Sequence, residues 1–187
     1  MRYSPTQKIE SRKKIIKAAR SVFANVGFDK ATIDQIMAEA GMTRGGFNKH
    51  FPNKTALLIE VVRGGQVDLP EDVPCHVGDI LRRYLDDSHI EDKANACPLF
   101  TFPNDVARHD DEVKTAYEDV AKSIVEVLTI AQPDKNKELA MALMAMCVGC
   151  MVVMNSSSDP DFKKSLREAT LKQISELTGI NLHERDA

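Results

Sequence analysis

Residues 32 to 51, which read TIDQIMAEAGMTRGGFNKHF, carry the signals of two helix starts and one helix end. Thr32 stands where an N-cap is expected, and Gln35, three residues later, completes a capping box. Gly41 suits the C-terminal end of that helix. Thr43 is the N-cap candidate of a second helix. The stretch therefore predicts two short helices joined by a tight turn that contains a glycine.

Gly45 and Gly46 fall in the middle of the second predicted helix, where each glycine costs about 1 kcal/mol relative to alanine. A helix built only for packing would gain from alanine at both positions. A helix pressed against DNA can use the missing side chains, because its backbone and its N-terminal N–H groups come closer to phosphate. The two glycines therefore favour a contact surface over a packing surface.

The segments on either side of this stretch also predict helices. Residues 11 to 27 form a basic segment that ends at Gly27, and a further helix is expected from Lys54 after the break at Pro52-Asn53. Two short helices behind a basic amphipathic helix are the parts of a helix-turn-helix, whose second short helix enters the major groove of DNA. One apolar stripe runs along the basic helix through Ile15, Ile16, Ala19, Val22, Phe23 and Val26.

The charge of the chain is divided unevenly along its length. The net charge of the 187 residues is −3, but residues 1 to 63 contain 12 basic and 5 acidic residues, a net charge of +7. The remaining residues carry a net charge of −10. A basic head on an acidic body predicts a polyanion-binding region joined to a region with another task. A chance imbalance among solvated surface charges is the alternative.

The rest of the chain predicts helices and no strands. Helical periodicity is found over residues 76–90, 110–131, 135–154 and 162–177. Gly64-Gly65 and the Pro70 to Pro74 stretch suggest a hinge. Pro98 suits the first turn of a helix, and Pro103 would kink or end a helix begun there. We expect an all-α chain, with a helix-turn-helix domain over residues 1–63 and a second helical domain over residues 64–187.

The composition predicts a folded protein in the cytoplasm. The apolar fraction of 43% is enough for a core. The longest apolar run, residues 139 to 154, is shorter than the roughly 20 residues of a membrane span, and no basic and apolar leader begins the chain, so no membrane partner is expected. Four cysteines without a regular framework indicate reduced thiols.

The first third of the chain carries an ordered pattern of apolar, small and capping residues. It consists of Ile16-x-x-Ala19-x-x-x-Phe23-x-x-x-Gly27-Phe28, Thr32-x-x-x-Ile36-x-x-x-Ala40-Gly41-Met42 and Gly46-x-x-x-x-Phe51-x-x-Lys54-x-x-Leu57. In this pattern the chain resembles the TetR/AcrR family of one-component transcriptional repressors. The resemblance implies an all-α homodimer whose C-terminal domain holds a small-molecule pocket and most of the dimer contacts. It thus implies a repressor that a small apolar or electrophilic effector, or thiol modification, releases from a palindromic operator in double-stranded DNA.

Nine residues are expected to contact DNA. Arg44 suits a bidentate contact to guanine or a phosphate clamp. Because the glycines carry no side chain, base reading falls on Asn48 and Lys49. Most family members have a backbone-contacting tyrosine where this chain has Asn48, which suits adenine, a phosphate or a water-mediated contact. The nine are Thr32, Thr43, Arg44, Gly45, Gly46, Asn48, Lys49, His50 and Lys54.

Four of these nine have more than one expected role. Thr43 would cap its helix or bond a phosphate, and Thr32 is either an ordinary N-cap or a phosphate contact. His50 is a candidate for base reading, for a backbone contact or for ending its helix. Lys54 resembles the family lysine that meets a phosphate at the start of the following helix.

The expected ligand-binding residues lie in the second half of the chain. Cys97 precedes a helix N-terminus, a position that lowers thiol pKa values, so it is a candidate redox sensor. An inert thiol that lines the pocket is the alternative. The residues expected to line the pocket are Tyr84, Cys97, Phe100, Phe102, Tyr117 and Met144.

No metal site, cofactor or enzyme activity is expected from the sequence. Cys147-Val-Gly-Cys150 is a C-x-x-C match in an apolar helical segment, a setting that favours packing over redox or metal chemistry. Cys75-His76 with His89 or His109 have no spacing that demands a metal. No nucleophile elbow, phosphate loop, H-E-x-x-H or paired carboxylates stands in a supporting context. A helix-turn-helix protein that recruits protein partners without effector control is the alternative function.

Overall fold

The structure is a computed structural model that describes residues 5–66 and 76–182. These residues form ten α-helices and one 3-10 helix and contain no strand, which confirms the all-α prediction. The helices are α1 Pro5–Val26, α2 Ile33–Glu39, the 3-10 helix Arg44–Lys49, α3 Lys54–Arg63, α4 Val77–Tyr84, α5 Ser88–Glu91, α6 Pro98–Thr101, α7 Pro103–Ala107, α8 Asp111–Ile130, α9 Lys137–Ser156 and α10 Pro160–Thr178.

The chain forms two compact units. The first consists of Met1–Gln66 and Asp92–Val120, and the second consists of Val67–Glu91 and Ala121–Ala187. The first unit therefore contains α1 to α3, the 3-10 helix, α6 and α7. The second contains α4, α5, α9 and α10.

The core of the first unit forms where α1 packs against α2 and α3. Of the predicted stripe on α1, Ile15, Ala19 and Phe23 are buried, while Val26 at its end is exposed. Phe47 and Phe51, four residues apart, are also buried, with ring centroids 5.8 Å apart. Burying a side chain of this size stabilises the fold by roughly 2–3 kcal/mol. The aromatic pair thus fixes the 3-10 helix to the core and leaves its opposite side exposed.

Two proline residues set the ends of helices in the second part of the first unit. Pro98 is the first residue of α6, which ends at Thr101, and Pro103 begins α7. The prediction that Pro103 interrupts the preceding helix is confirmed. The reason is that proline lacks the N–H that a continuing helix needs.

Residues 76–90 form two helices, where the periodicity predicted one. The backbone N–H and the hydroxyl of Ser88 donate to the Asp86 carboxylate, at 3.0 and 2.5 Å. Such local hydrogen bonds from side chains to the backbone compete with helix formation. This competition explains why α4 ends before residue 86 and α5 begins at Ser88.

In the second unit α9 packs along α10. At 20 residues with a mean hydropathy of 2.0, α9 meets the length and composition of a membrane span, although the sequence alone indicated that this segment was too short. The reason is that the helix extends past the apolar run at both ends. One third of its most apolar window is buried, and the core helix of a water-soluble domain has the same composition.

Candidate nucleic-acid interface

The start of α2 is fixed by the predicted capping box. The backbone N–H of Gln35 donates to the Thr32 hydroxyl at 3.2 Å, and the backbone N–H of Thr32 donates to the Gln35 side chain at 2.9 Å. Thr32 is exposed. It is therefore an N-cap as predicted, and its exposed side chain leaves the predicted phosphate contact sterically open.

The second short helix is a 3-10 helix rather than the α-helix that the spacing suggested. Gly46 N–H donates to Thr43 C=O at 3.0 Å, and His50 N–H donates to Phe47 C=O at 2.9 Å, both across three residues. Two adjacent glycines lower the α-helix propensity of so short a segment, which explains the tighter form. Thr43 occupies the N-cap position, but no side-chain capping bond is formed there within the described chain.

No protein atom occupies the space that a Gly45 side chain would fill. A Cβ added at Gly45 meets nothing within 4 Å, and Gly45 is exposed. A Cβ at Gly46 would lie 3.4 Å from the Met37 methyl group and 3.7 Å from that of Met42, which are ordinary contacts. The fold of the described residues therefore does not require glycine at position 45.

Arg44 is held next to the glycines by an exposed ion pair with Asp34 of α2. About two thirds of the Arg44 side chain is exposed. Surface ion pairs contribute about 0–1 kcal/mol, so this contact orients the guanidinium without locking it. Asn48 and Lys49 are also exposed on this side, while Phe47 between them and Gly46 is buried. The exposed residues Arg44, Gly45, Asn48 and Lys49 thus form a polar outer face of the 3-10 helix, while Phe47 packs into the core.

His50 lies at the end of the 3-10 helix in a strongly cationic environment. Its carbonyl accepts from the Arg12 guanidinium at 2.7 Å, and its Nδ1 is buried without a hydrogen-bond partner among the described residues. Burial lowers the pKa of His50, and Lys8, Arg12 and Lys49 lower it further. The ring is therefore neutral at pH 7 in the protein without DNA.

Arg12 positions the end of the 3-10 helix, a role that the sequence alone did not predict. Its guanidinium also lies 4.2 Å from the Phe51 ring centroid and 3.2 Å from the Glu60 carboxylate. Arg12 therefore links α1 both to the end of the 3-10 helix and to α3. Its position in the sequence could have indicated this role, because Arg12 lies four residues before Ile16 and therefore on the same side of α1 as the apolar stripe.

Lys54 makes contacts within the protein that the family resemblance did not imply. Its ammonium donates to the carbonyls of Phe28, Asp29 and Ala31, at 2.7, 3.4 and 2.9 Å. It also lies 4.2 Å from the Phe28 ring centroid. These contacts join α3 to the turn before α2, so Lys54 has a structural role besides the predicted phosphate contact.

The six predicted ligand-binding residues lie in both units. Cys97, Phe100 and Phe102 are buried in the first unit. Tyr117 there donates to the Leu99 carbonyl at 2.7 Å, and burial and the nearby Cys97 raise its pKa to about 12. The other two residues, Tyr84 and Met144, are half-buried in the second unit.

One open cavity of about 700 Å³ lies in the second unit, between α8 and α9. Of the six predicted residues, all within the described part of the chain, only Met144 lines it. No cluster of three or more His, Cys, Asp or Glu side chains is found in residues 5–66 and 76–182. Cys75 lies outside the described residues. The cavity is lined by Ala121, Lys122, Val125, Glu126, Thr129, Ile130, Lys137, Met141 and Met144.

Comparisons with known proteins match the region that contains the 3-10 helix. Residues 15–61 match the family model for bacterial regulatory proteins of the tetR family. The chain is 41% identical over 69 residues to the HTH-type transcriptional regulator SrpR of Pseudomonas putida, which is 37% of this chain and 32% of that one. It is also 41% identical over 69 residues to the uncharacterized HTH-type transcriptional regulator TtgW, again of Pseudomonas putida, covering 37% and 52%.

The fold is similar to solved structures over nearly the whole chain. A TetR transcriptional regulator from Chloroflexus aurantiacus superposes with a TM-score of 0.65 over 91% of this chain and 95% of that one, at 18% identity. The chain spans only about a third of the length of SrpR and half of the length of TtgW. Residues 15–61 are therefore similar to the tetR family of bacterial regulatory proteins, and the fold is similar to that of a TetR transcriptional regulator.

Proposed function

We propose that the chain is a transcriptional repressor that binds a palindromic operator as a homodimer and leaves the DNA when an effector binds or a thiol is modified. The observation that carries this proposal is the polar outer face of the 3-10 helix, where Gly45 has no packing role. That face lies in the part of the chain with a net charge of +7. Phosphate neutralisation is the main source of DNA affinity.

The outer face supports specific roles for its side chains. Gly45 and Gly46 let the backbone approach the groove, Arg44 and Lys49 offer charge, and Asn48 offers a bidentate amide for adenine. Thr32, Thr43, His50 and Lys54 surround this face and would contact the DNA backbone. We place the end of the DNA-binding domain at residue 63, where α3 ends.

The Arg44–Asp34 pair provides the test of DNA reading. On DNA, Arg44 must leave Asp34 for a base or a phosphate. Asp34→Asn should therefore raise operator affinity several-fold. Arg44→Ala should lower it roughly 5- to 150-fold, which corresponds to the loss of about 1–3 kcal/mol expected for a bidentate contact. Fluorescence anisotropy on an operator from the promoter of the chain's own gene measures both. Equal affinities of all three proteins would contradict the assignment.

An uncharged face on α9 supports the homodimer. No charged residue occurs between Leu139 and Ser156, and small side chains recur on the exposed side of the helix. Close helix packing between two copies would bury this surface in a four-helix bundle with α10. Between Leu139 and Met154 the exposed positions on α9 are Met141, Ala142, Ala145, Gly149 and Val153, and the exposed large apolar residues of α10 are Phe162 and Leu177.

Two routes for effector control follow from the two units. In the second unit the cavity beside Met144 has a size typical of ligand sites and a largely apolar lining, which favours a small apolar effector. In the first unit, burial lowers the pKa of Arg20 of α1, and the nearby Cys97 and Asp92 oppose this shift. Modification of Cys97 would then change the electrostatic environment of Arg20 in α1.

Cys97→Ser separates the two routes. Loss of the response to oxidants with this variant supports thiol sensing, whereas full release by an apolar compound supports the cavity. If no compound or oxidant releases the protein from DNA, the alternative function, recruitment of protein partners without effector control, is favoured. We assign no catalytic role, and we place the protein in the cytoplasm, where its DNA target lies.

A further inference from the structure

Sulfur-bearing side chains are concentrated in α9. This helix holds five of the eight methionines and two of the four cysteines of the chain. Many of them recur at three- and four-residue intervals, which places them on one side of the helix. Leucine would fill the same space with less flexibility, so packing alone does not explain the choice of sulfur. The side in question carries Met144, Cys147, Cys150, Met151 and Met154.

Three of these side chains form a buried sulfur cluster, which consists of Cys147, Cys150 and Met154. Their exposed fractions are 3%, 5% and 0%. The Cys150 Sγ lies 3.5 Å from the Met154 Sδ. Cys147 is one helical turn before Cys150, and the two thiols influence each other electrostatically. Both thiols are free rather than joined in a disulfide.

The ligand types in the cluster select one class of metal ion. Zn²⁺ needs four nitrogen, sulfur or oxygen ligands in a structural site, and the described residues hold no group of three His, Cys, Asp or Glu. Mg²⁺ and Ca²⁺ need oxygen ligands. Two thiolates with a thioether are soft ligands that suit Cu(I).

A cation lies near the cluster. Arg167 of α10, which pairs with Asp87 at 2.6 Å, acts electrostatically on the Cys150 thiol. A positive charge at this place favours thiolate formation and offsets the negative charge of a metal bis-thiolate.

We propose that Cys147, Cys150 and Met154 bind one Cu(I) ion. One Cu(I) and two thiols give an anionic Cu(I) bis-thiolate and two released protons, with the Met154 thioether as third ligand and no change of oxidation state. The site revises the interpretation of the C-x-x-C pattern as packing only. Binding by the isolated protein does not depend on the proposed regulatory function.

Competition with the Cu(I) chelator bicinchoninate tests the site. Reduced full-length protein is titrated without oxygen into the coloured chelator complex at about pH 7. We expect one Cu(I) per chain to leave the chelator. No transfer of Cu(I) from the chelator would overturn the proposal.

Variants assign the ligands. Cys147→Ala and Cys150→Ala should each lower the affinity at least 100-fold, and Met154→Leu, which keeps the volume, about tenfold. Cys97→Ser, a thiol change in the other unit, should leave Cu(I) binding unchanged. Circular dichroism checks that each variant is folded. If the alanine variants unfold, the lowered affinity of Met154→Leu still decides, because wild-type affinity in that variant would contradict the third ligand. Wild-type affinity in folded Cys147→Ala would overturn the assignment.

Discussion

At the scale of single residues, Gly45 separates what the fold needs from what recognition needs. An added Cβ there meets no atom within 4 Å, and the φ angle of Gly45 is not in the left-handed region. By contrast, Gly27 ends α1 with φ +80°, where a side chain would be strained. The sequence alone showed two glycines that disfavour a helix, and the structure shows that packing within the protein does not require glycine at position 45.

Gly45→Ala should therefore affect DNA binding and stability in opposite directions. The free energy of unfolding should stay the same or rise by up to about 1 kcal/mol, because alanine has the higher helix propensity. Operator affinity should fall roughly tenfold, because a methyl group separates the backbone from the groove. Thermal unfolding and anisotropy measure the two effects. Unchanged operator affinity would mean that glycine is merely tolerated at this position.

His50 should make stability depend on pH. Its pKa in the folded chain is lowered, chiefly by burial. Neutral His50 therefore contributes stability that is fully present above about pH 6.5, the ordinary histidine value, and is lost as the pH falls through the lowered value. His50→Gln does not titrate, so the wild type should lose stability relative to this variant between pH 7.5 and pH 5.5. If urea unfolding gives the same difference in free energy of unfolding between the wild type and His50→Gln at both pH values, this prediction is wrong.

At the scale of elements, Thr32→Ala should destabilise α2 by about 1 kcal/mol, because it removes the hydroxyl that accepts from the Gln35 N–H. Thr32→Ser keeps the hydroxyl and serves as the matched control. Urea unfolding compares the three proteins. If Thr32→Ala is as stable as the serine variant, the capping box does not hold the helix start.

Sequence patterns predicted most elements, because the signals of helix ends are local. Gly27, the Thr32–Gln35 box and Pro103 act on their own backbone, and each ends or begins a helix as expected. Two features were not predicted: the 3-10 form of the helix Arg44–Lys49 and the split of residues 76–90 into two helices. Both depend on competition between backbone and side-chain hydrogen bonds, which the spacing of apolar residues does not reveal.

The candidate site was predictable in its composition but not in its contacts. The residues on the outer face follow from spacing and from the family resemblance. The partners of Arg44, Lys54 and Arg12 follow from tertiary packing, which joins residues as far apart in the chain as Arg12 and Glu60. The pocket residues were the hardest to predict, because a cavity depends on the shapes of two helices at once.

At the scale of the whole molecule, the uncharged face of α9 should control assembly. A Cβ at Gly149 meets nothing within 4 Å, so Gly149→Glu is tolerated by the fold of one chain. The same change places a charge in the proposed interface, where an unpaired charge is costly. Sedimentation should show a dimer for the wild type and a monomer for Gly149→Glu. Thr115→Glu, at an exposed position on α8, is the control, and a dimeric Gly149→Glu would exclude this face.

The opposite charges of the two parts of the chain give a further expectation for the whole molecule. Residues 1–63 carry +7 and the remainder carries −10, so a polyanion is attracted to one part and repelled by the other. Binding to DNA should therefore weaken as salt rises, by about 0.9 in log K per unit of log salt for each phosphate contacted.

The most direct test is binding of the purified protein to DNA from the promoter region of its own gene, followed by anisotropy over a range of salt concentrations. We expect two chains per palindromic site and a linear fall of log K with log salt. Arg44→Ala and Lys49→Ala should each weaken binding. Failure to bind any fragment of that region more tightly than unrelated DNA at the same salt would contradict it.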